Sequence, residues 1–154
     1  MRAMVSRNHS KGGLRWLAPI CLGLLVLYTA HARVPQGRVA RALFTTGVVE
    51  REPVDRVLVA GPDINRIYFF TDLRGMEGQV VSHRWEYNGE VVSTVKFEVK
   101  GPRWRVYSAR ELSPAQTGKW TAMVVDADGW PLRAVVFEYV VDVSEKPAVI
   151  LPLN

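Results

Sequence analysis

The chain has 154 residues, of which 48% are hydrophobic and 23% charged, and its formal net charge is +5; this length suits one small domain. All 15 acidic residues lie after position 32, with 16 of the 20 lysines and arginines, so residues 33–154 carry a net charge of only +1. This balance argues against nucleic-acid binding, which needs a concentrated basic surface. The single cysteine, Cys21, precedes position 32, which excludes a disulfide, a cysteine zinc site and a thiol nucleophile from the rest.

Residues 1–32 have the composition of an export segment. Their basic residues are Arg2, Arg7, Lys11 and Arg15. An uncharged apolar run over residues 16–30 follows, and the triplet Ala-His-Ala at 30–32 matches a signal-peptidase site. The run is shorter than the roughly 20 residues of an untilted transmembrane helix, and Pro19 interrupts it. We expect a signal peptide cleaved near Ala32; the alternative is a membrane anchor formed by residues 16–32. Both predict residues 33–154 on the periplasmic side of the inner membrane.

The remainder of the chain predicts an all-β fold. Residues 33–38 form a polar linker with Pro and Gly. From residue 39 onward, short β-branched and aromatic runs alternate with turn residues, a pattern typical of antiparallel sandwiches. The predicted strands cover residues 39–49, 65–72, 79–87, 90–100, 103–108, 118–126 and 132–142.

We therefore predict a single antiparallel immunoglobulin-like β-sandwich of about seven strands over residues 39–143, after an N-terminal hydrophobic helix. Residues 50–62, which contain two prolines and mixed charge, are predicted to be an irregular connection. Residues 144–154 are predicted to be an extended tail.

The hairpin around Asn88-Gly89 can be predicted to its register. The apolar residues on both sides of this turn all have odd numbers. A two-residue turn would place the two sets on opposite faces of the sheet, which conflicts with one buried face. We therefore predict a three-residue loop over residues 87–89, with Gly89 in the left-handed region and Trp85 paired with Val91.

The last predicted strand is apolar on both faces over residues 134–141. Val135 and Phe137 lie on one face, and Ala134 and Val136 lie on the other, so both faces need cover. We expect residues 148–151 of the tail to fold over this strand; the alternative is a protein–protein contact.

Several motifs with Trp, Gly and His are spaced over residues 39–142. They are VARA at 39–42, REPVD at 51–55, HRWEYNG at 83–89, GPRWRVYS at 101–108 and TGKWT at 117–121. This set resembles a bacterial domain-of-unknown-function family, number 2914. The resemblance implies an exported or membrane-tethered bacterial domain whose activity has not been established, and it therefore assigns no catalytic residue to this chain.

His83 is the first residue to consider for catalysis. The predicted register places it opposite Ser93, whose hydroxyl would fix its tautomer. A general base also needs a nucleophile and an orienting carboxylate, and the sequence shows neither. We interpret His83 as a buried structural histidine, with catalysis or metal binding as the alternative.

Cofactor and metal sites are not predicted anywhere in the chain. The run Asp126–Gly129 resembles the start of a calcium loop, but its glycine is at the fourth position instead of the sixth. We interpret it as a polar turn.

Arg103, Arg105 and Tyr107 form the candidate binding surface. Strict alternation predicts that they share an outer face while Trp104 and Val106 point inward. Two guanidinium groups beside a phenol suit a carboxylate, a phosphate or the edge of a sugar. The alternative is a solvated face on which the arginines pair with acidic residues. Those acidic residues would be Glu86, Glu98 or Glu111.

Trp85, Trp104 and Trp120 are predicted to lie in the core, because a sandwich without cysteine depends on large buried side chains. A glycan-stacking platform would instead require exposed tryptophans. Hydrolase motifs such as Gly-x-Ser-x-Gly are missing from the sequence. We predict a non-enzymatic module for protein interaction in the bacterial cell envelope, with a carbohydrate-binding module for cell-wall or exported glycan as the alternative.

Overall fold

The computed structural model describes residues 37–144 and 146–153. Within them it has strands β1 Arg38–Thr45, β2 Val48–Val49, β3 Glu52–Pro53, β4 Asp55–Ala60, β5 Arg66–Arg74, β6 Val80–Tyr87, β7 Glu90–Glu98, β8 Arg103–Glu111, β9 Gly118–Val125, β10 Pro131–Tyr139 and β11 Val149–Pro152, with a 3-10 helix Pro114–Gln116. The all-β prediction is confirmed, and each of the seven predicted strands is present. The predicted leader helix and its cleavage site lie outside the described residues. Among the residues that are described, no helix is long and apolar enough to span a bilayer.

The strands form two main sheets and one small hairpin. One sheet has three strands in the order β1-β5-β8, and the other has six in the order β11-β4-β10-β9-β6-β7. Strands β2 and β3 pair only with each other. The pairings are antiparallel except that of β4 with β10, which is parallel, so the predicted wholly antiparallel sandwich needs this correction.

Strands β3 and β4 lie in the segment predicted to be irregular, whereas β2 is the end of the predicted strand over residues 39–49, which stops at Thr45 and resumes at Val48. The sequence of β4, DRVLVA, is short, and Pro53 and Pro62 lie close to its two ends. For this reason the sequence did not predict a strand there. Its pairing is decided by its neighbours: β10 lies on one side and β11 on the other. Non-local pairing of this kind leaves no local pattern in a sequence.

The expectation that the tail folds over the last strand is wrong. Val149–Pro152 pairs with β4 at the edge of the six-stranded sheet. The tail thereby satisfies backbone groups along β4 that would otherwise lack partners in the sheet. Ala134 and Val136, on the outer face of β10, stay exposed, and the exposed fraction of Val136 is 45%.

Aromatic side chains fill the space between the sheets. Phe44 from the three-stranded sheet contacts Phe137 and Trp85 from the six-stranded sheet, with ring centroids 4.6 and 5.5 Å apart. Trp120 stacks on Phe137 from the neighbouring strand at 6.2 Å. Residues 33–154 contain no cysteine, so this aromatic layer stabilises the domain in place of disulfides.

The turn between β6 and β7 contradicts the predicted three-residue loop. Tyr87 pairs directly with Glu90, so the turn contains only Asn88 and Gly89, with φ angles of 50° and 91°. Two consecutive positive φ angles define the twisted turn for which Asn-Gly is the preferred sequence. The predicted pairing of Trp85 with Val91 is therefore wrong.

The extra residue needed to keep one face buried lies in the strand instead of the turn. Glu86 pairs with Val91 and Trp85 with Ser93, so Val92 forms a β-bulge. The bulge returns the odd-numbered residues from Ser93 onward to the same face as Trp85, and it leaves Val91 exposed on the other face. The odd-numbered apolar residues on the two sides of the turn do conflict with a regular hairpin that has a two-residue turn, but a bulge within β7 resolves this conflict.

Candidate functional site

Arg103, Arg105 and Tyr107 lie along one face of β8, at the edge of the three-stranded sheet. In the register with β5 they are opposite Arg74, Asp72 and Phe70, respectively. The intervening residues Trp104 and Val106 pack against the core. The structure thus places the three candidate residues together on the outer side of this sheet.

The same face continues onto β1. In the register of β1 with β5, Arg38 is opposite Arg74, and Arg41 is opposite Asp72. The result is a cluster that we call the arginine face, formed by Arg38, Arg41, Arg74, Arg103 and Arg105. No periodicity in the sequence shows it, because its members come from three strands separated by long connections.

Asp72 lies at the centre of the arginine face, with 1% of its surface exposed. Its carboxylate accepts hydrogen bonds from Arg74 Nε at 2.8 Å and from Arg103 Nη2 at 3.0 Å. Arg41 Nη2 is 3.8 Å away. Burial raises the pKa of Asp72, but the hydrogen bonds from Arg74 and Arg103 outweigh it and hold the pKa below its ordinary value.

Glu52 is the second carboxylate of this face, and the β2–β3 hairpin brings it there. It accepts hydrogen bonds from Arg41 and Arg105 and lies 3.5 Å from Arg103 Nη2. The hydrogen bond from Arg41 makes the largest contribution to lowering its pKa below the ordinary value. The carboxylate is therefore charged at neutral pH.

The acidic partners expected from the sequence pair elsewhere. Glu86 pairs with Arg84, Glu98 with Lys100 and Glu111 with Arg66. The sequence could not identify Glu52, since it lies in the segment interpreted as irregular and reaches Arg105 only after the hairpin folds over the sheet.

Positive charge is in excess on the arginine face. Five arginines share two carboxylates, which leaves a net charge of +3, whereas the whole of residues 33–154 carries +1. The remaining surface is therefore acidic on balance. A face with this concentration of one sign attracts ligands of the opposite sign.

A cavity of about 350 Å³ adjoins the arginine face. Its lining residues are Arg51, Phe70, Phe97, Arg105, Val106 and Tyr107. Arg51 belongs to the two-residue turn between β2 and β3, in which Glu50 and Arg51 have φ angles of 50° and 65°. The turn thus carries a cationic side chain to the rim of an apolar cavity.

A comparison with protein families gives one match. Residues 78–139, from just before β6 to the end of β10, match a family described as "Protein of unknown function (DUF2914)". This part of the chain is similar to the DUF2914 family. The predicted resemblance is confirmed over these residues. No curated protein matches the chain significantly.

The DUF2914 segment contains only part of the arginine face. Arg103, Arg105 and Tyr107 lie within residues 78–139, whereas Glu52 and Asp72 precede them. The carboxylates that orient the candidate arginines are thus supplied by the part of the domain that comes before the matched segment.

His83 of the DUF2914 segment is completely buried. It is opposite Val95, so the predicted position opposite Ser93 is wrong, because the two-residue turn and the bulge each shift the register by one residue. Its Nδ1 is 2.9 Å from Ser108 Oγ and its Nε2 is 3.0 Å from Thr71 Oγ1, both on the three-stranded sheet. Burial lowers the pKa of His83 to about 3, so the ring is neutral at physiological pH.

The tryptophans divide by exposure. Trp85 and Trp120 are fully buried, and Trp104 is partly buried against the core. Trp130, at the turn after β9, is 71% exposed. Within the described residues, no row of exposed tryptophans is present that could stack on a glycan.

The run Asp126–Gly129 forms a hydrogen-bonded turn. Asp126 Oδ1 accepts hydrogen bonds from the backbone N–H groups of Asp128 and Trp130, at 3.0 and 2.8 Å. This is the role expected of an aspartate that begins a turn. In the part of the chain that the structure describes, no three His, Cys, Asp or Glu side chains are grouped so as to hold a metal ion.

Proposed function

We propose that this domain is a non-enzymatic binding module that recognises an acidic protein partner through the arginine face. The excess of three positive charges on one side of a nearly neutral domain is the observation that carries the proposal. Such a separation of charge favours encounter with an acidic surface and disfavours a basic one.

The arginines are held in position and remain accessible. Arg41, Arg74 and Arg103 have side-chain exposures of 38%, 43% and 44%, although each interacts with Asp72. A guanidinium group presents five donors, so one carboxylate leaves others free for a ligand. Arginines that are already ordered lose less side-chain entropy when a partner binds.

The proposed location is the periplasmic side of the bacterial inner membrane. The basic lead, the apolar run over residues 16–30 and the Ala-His-Ala triplet support export. We expect protein recovered from the envelope fraction to begin at Arg33 when sequenced from its N-terminus. Recovery of the intact leader in the membrane fraction would instead support the anchor, and intact leader in the cytosol would contradict export.

A non-enzymatic role is supported by the position of His83, which no solvent reaches. Its two ring nitrogens have hydroxyl partners that also connect to Trp85 and to the backbone of Val106. This is the environment of a histidine that joins two sheets. The packing of two sheets around an aromatic core also supports the immunoglobulin-like architecture that we propose as the finer fold class.

A carbohydrate-binding module is the second candidate. Tyr107 is 50% exposed, and its ring lies 6.0 Å from that of Tyr68, so a small aromatic surface adjoins the arginines. Aromatic rings beside guanidinium groups suit an acidic sugar. The protein partner is preferred because Trp85 and Trp120 are buried and are therefore not available to stack on a sugar.

The double variant Arg103→Gln/Arg105→Gln tests the proposed function. We expect the full-length chain to bind a glutamate-rich peptide with an affinity that falls as salt increases, and the variant to bind it at least about tenfold more weakly, since each charge-assisted hydrogen bond contributes about 1.5–3 kcal/mol. Isothermal titration calorimetry measures both.

The control is Arg133→Gln, which removes an exposed arginine from the other sheet and should leave the affinity unchanged. Thermal melts verify that the double variant is folded. Equal peptide affinity in the double variant and the wild type would contradict the arginine face as the site. Binding of an oligouronate but not of the peptide would support the carbohydrate-binding alternative.

A further inference from the structure

The cavity beside the arginine face combines an apolar floor with a cationic rim. Phe97 and Val106 supply its accessible apolar lining above the fully buried Phe70, and Arg51 and Arg105 supply two guanidinium groups. A volume of about 350 Å³ is at the small end of ligand sites, which span roughly 300–1,000 Å³. It accommodates a group of the size of one amino-acid residue.

The turn that places Arg51 on the cavity has an unfavourable sequence. Both hairpin turns, Glu50-Arg51 and Asn88-Gly89, contain two residues with positive φ. Asn and Gly tolerate this conformation, whereas Glu and Arg have a side chain that crowds the backbone there. Backbone strain of this kind concentrates at functional sites.

The two guanidinium groups of the cavity differ in their partners. Arg105 donates a hydrogen bond to Glu52, which fixes its orientation. Arg51 is exposed and makes no ion pair with any residue that the structure describes. The rim therefore presents one oriented and one unneutralised cation above an apolar floor.

We infer that this cavity binds the C-terminal residue of a peptide when that residue is aromatic. The ring would contact the partly exposed Phe97 and Val106, and the α-carboxylate would accept hydrogen bonds from Arg51 and Arg105. Only at a C-terminus does a single residue carry both an apolar side chain and a carboxylate. The inference rests on the proposed function, since the acidic partner would supply this C-terminus.

N-acetylphenylalanine is the probe that tests the cavity. We expect the full-length chain to bind it with a Kd of about 1 mM, which is typical for a ligand of this size. N-acetylphenylalaninamide lacks the carboxylate and acetate lacks the ring, so each should bind at least about tenfold more weakly. Calorimetry or ligand-observed NMR measures all three.

The double variant Glu50→Asn/Arg51→Gly gives the hairpin the same turn sequence as residues 88–89. We expect a rise in Tm of about 3 °C, because the strain is relieved, together with loss of N-acetylphenylalanine binding. Arg51→Gln should lose binding without this rise in Tm. Arg133→Gln is again the control and should change neither quantity.

The outcomes separate this inference from the proposed function. If the glutamate-rich peptide binds and N-acetylphenylalanine does not, the cavity inference is overturned and the arginine face stands. If N-acetylphenylalanine binds and the peptide does not, the cavity is a small-ligand site and the proposed acidic partner is overturned. Unchanged N-acetylphenylalanine binding after Arg51→Gln would also overturn the inference.

Discussion

Lowering the pH from 7 to 4.5 is expected to reduce the free energy of unfolding by about 3 kcal/mol through His83 alone. The pKa of His83 is lowered to about 3 in the folded protein by burial, while an unfolded histidine has its ordinary pKa of about 6.5. Below pH 6.5 the unfolded chain therefore binds a proton that the folded chain does not. The stabilisation is fully present above pH 6.5 and is lost progressively as the pH falls toward 3.

The hydrogen bonds around His83 explain why the neutral ring is retained. Trp85 Nε1 donates to Ser108 Oγ at 2.8 Å, which leaves the Ser108 hydroxyl free to donate to His83 Nδ1. His83 Nε2–H then donates to Thr71 Oγ1, whose hydroxyl is 3.4 Å from the Val106 carbonyl oxygen. Each donor meets an acceptor only when the ring carries one proton.

Urea unfolding at several pH values measures this effect. His83→Gln is the control, because glutamine keeps a hydrogen-bonding group but gains no proton in this range. We expect the variant to be less stable at pH 7 and to show a much smaller loss between pH 7 and 4.5. The lowered pKa values of Asp72 and Glu52 place their own acid-induced losses at lower pH. A wild-type stability that stays constant from pH 7 to 5 would contradict the buried neutral histidine.

Asp72→Asn is expected to lower the free energy of unfolding at pH 7 by about 3 kcal/mol. Removing one partner of a buried ion pair costs about 3–5 kcal/mol, and the lower end applies because Arg74 and Arg103 remain partly exposed to water. Asparagine keeps the shape of the side chain but replaces one acceptor oxygen by an NH2 donor, so the loss reports on the charge and on the hydrogen bonds that this oxygen accepts from the arginines. The arginine face would then carry five cations against Glu52 alone.

The matched control is Glu111→Gln, which breaks the exposed pair with Arg66 in the same sheet. Both side chains of that pair are largely exposed, so we expect a change within about 0.5 kcal/mol. Urea unfolding of the two variants and the wild type provides the comparison. Equal effects of the two substitutions would show that Asp72 does not organise the arginine face.

Local alternation allowed much of this domain to be predicted from its residues. The run Arg103-Trp104-Arg105-Val106-Tyr107 separates an outer from an inner face, and the structure shows the same separation. The Asn-Gly pair and the neighbouring apolar residues likewise located a hairpin, and their parity showed that one extra residue was needed. These features depend on the period of two along a single strand, which a sequence displays directly.

The partners of those side chains were decided only by the tertiary structure. Glu52 reaches Arg105 over a sequence separation of 53 residues, and His83 meets Ser108 over a separation of 25, because the β2–β3 hairpin folds over one sheet and the two sheets pack together. The site of the bulge, at Val92, depends on which turn conformation Asn88 and Gly89 adopt. A one-dimensional pattern determines which way a side chain points, but the contact that it makes depends on which strands become neighbours.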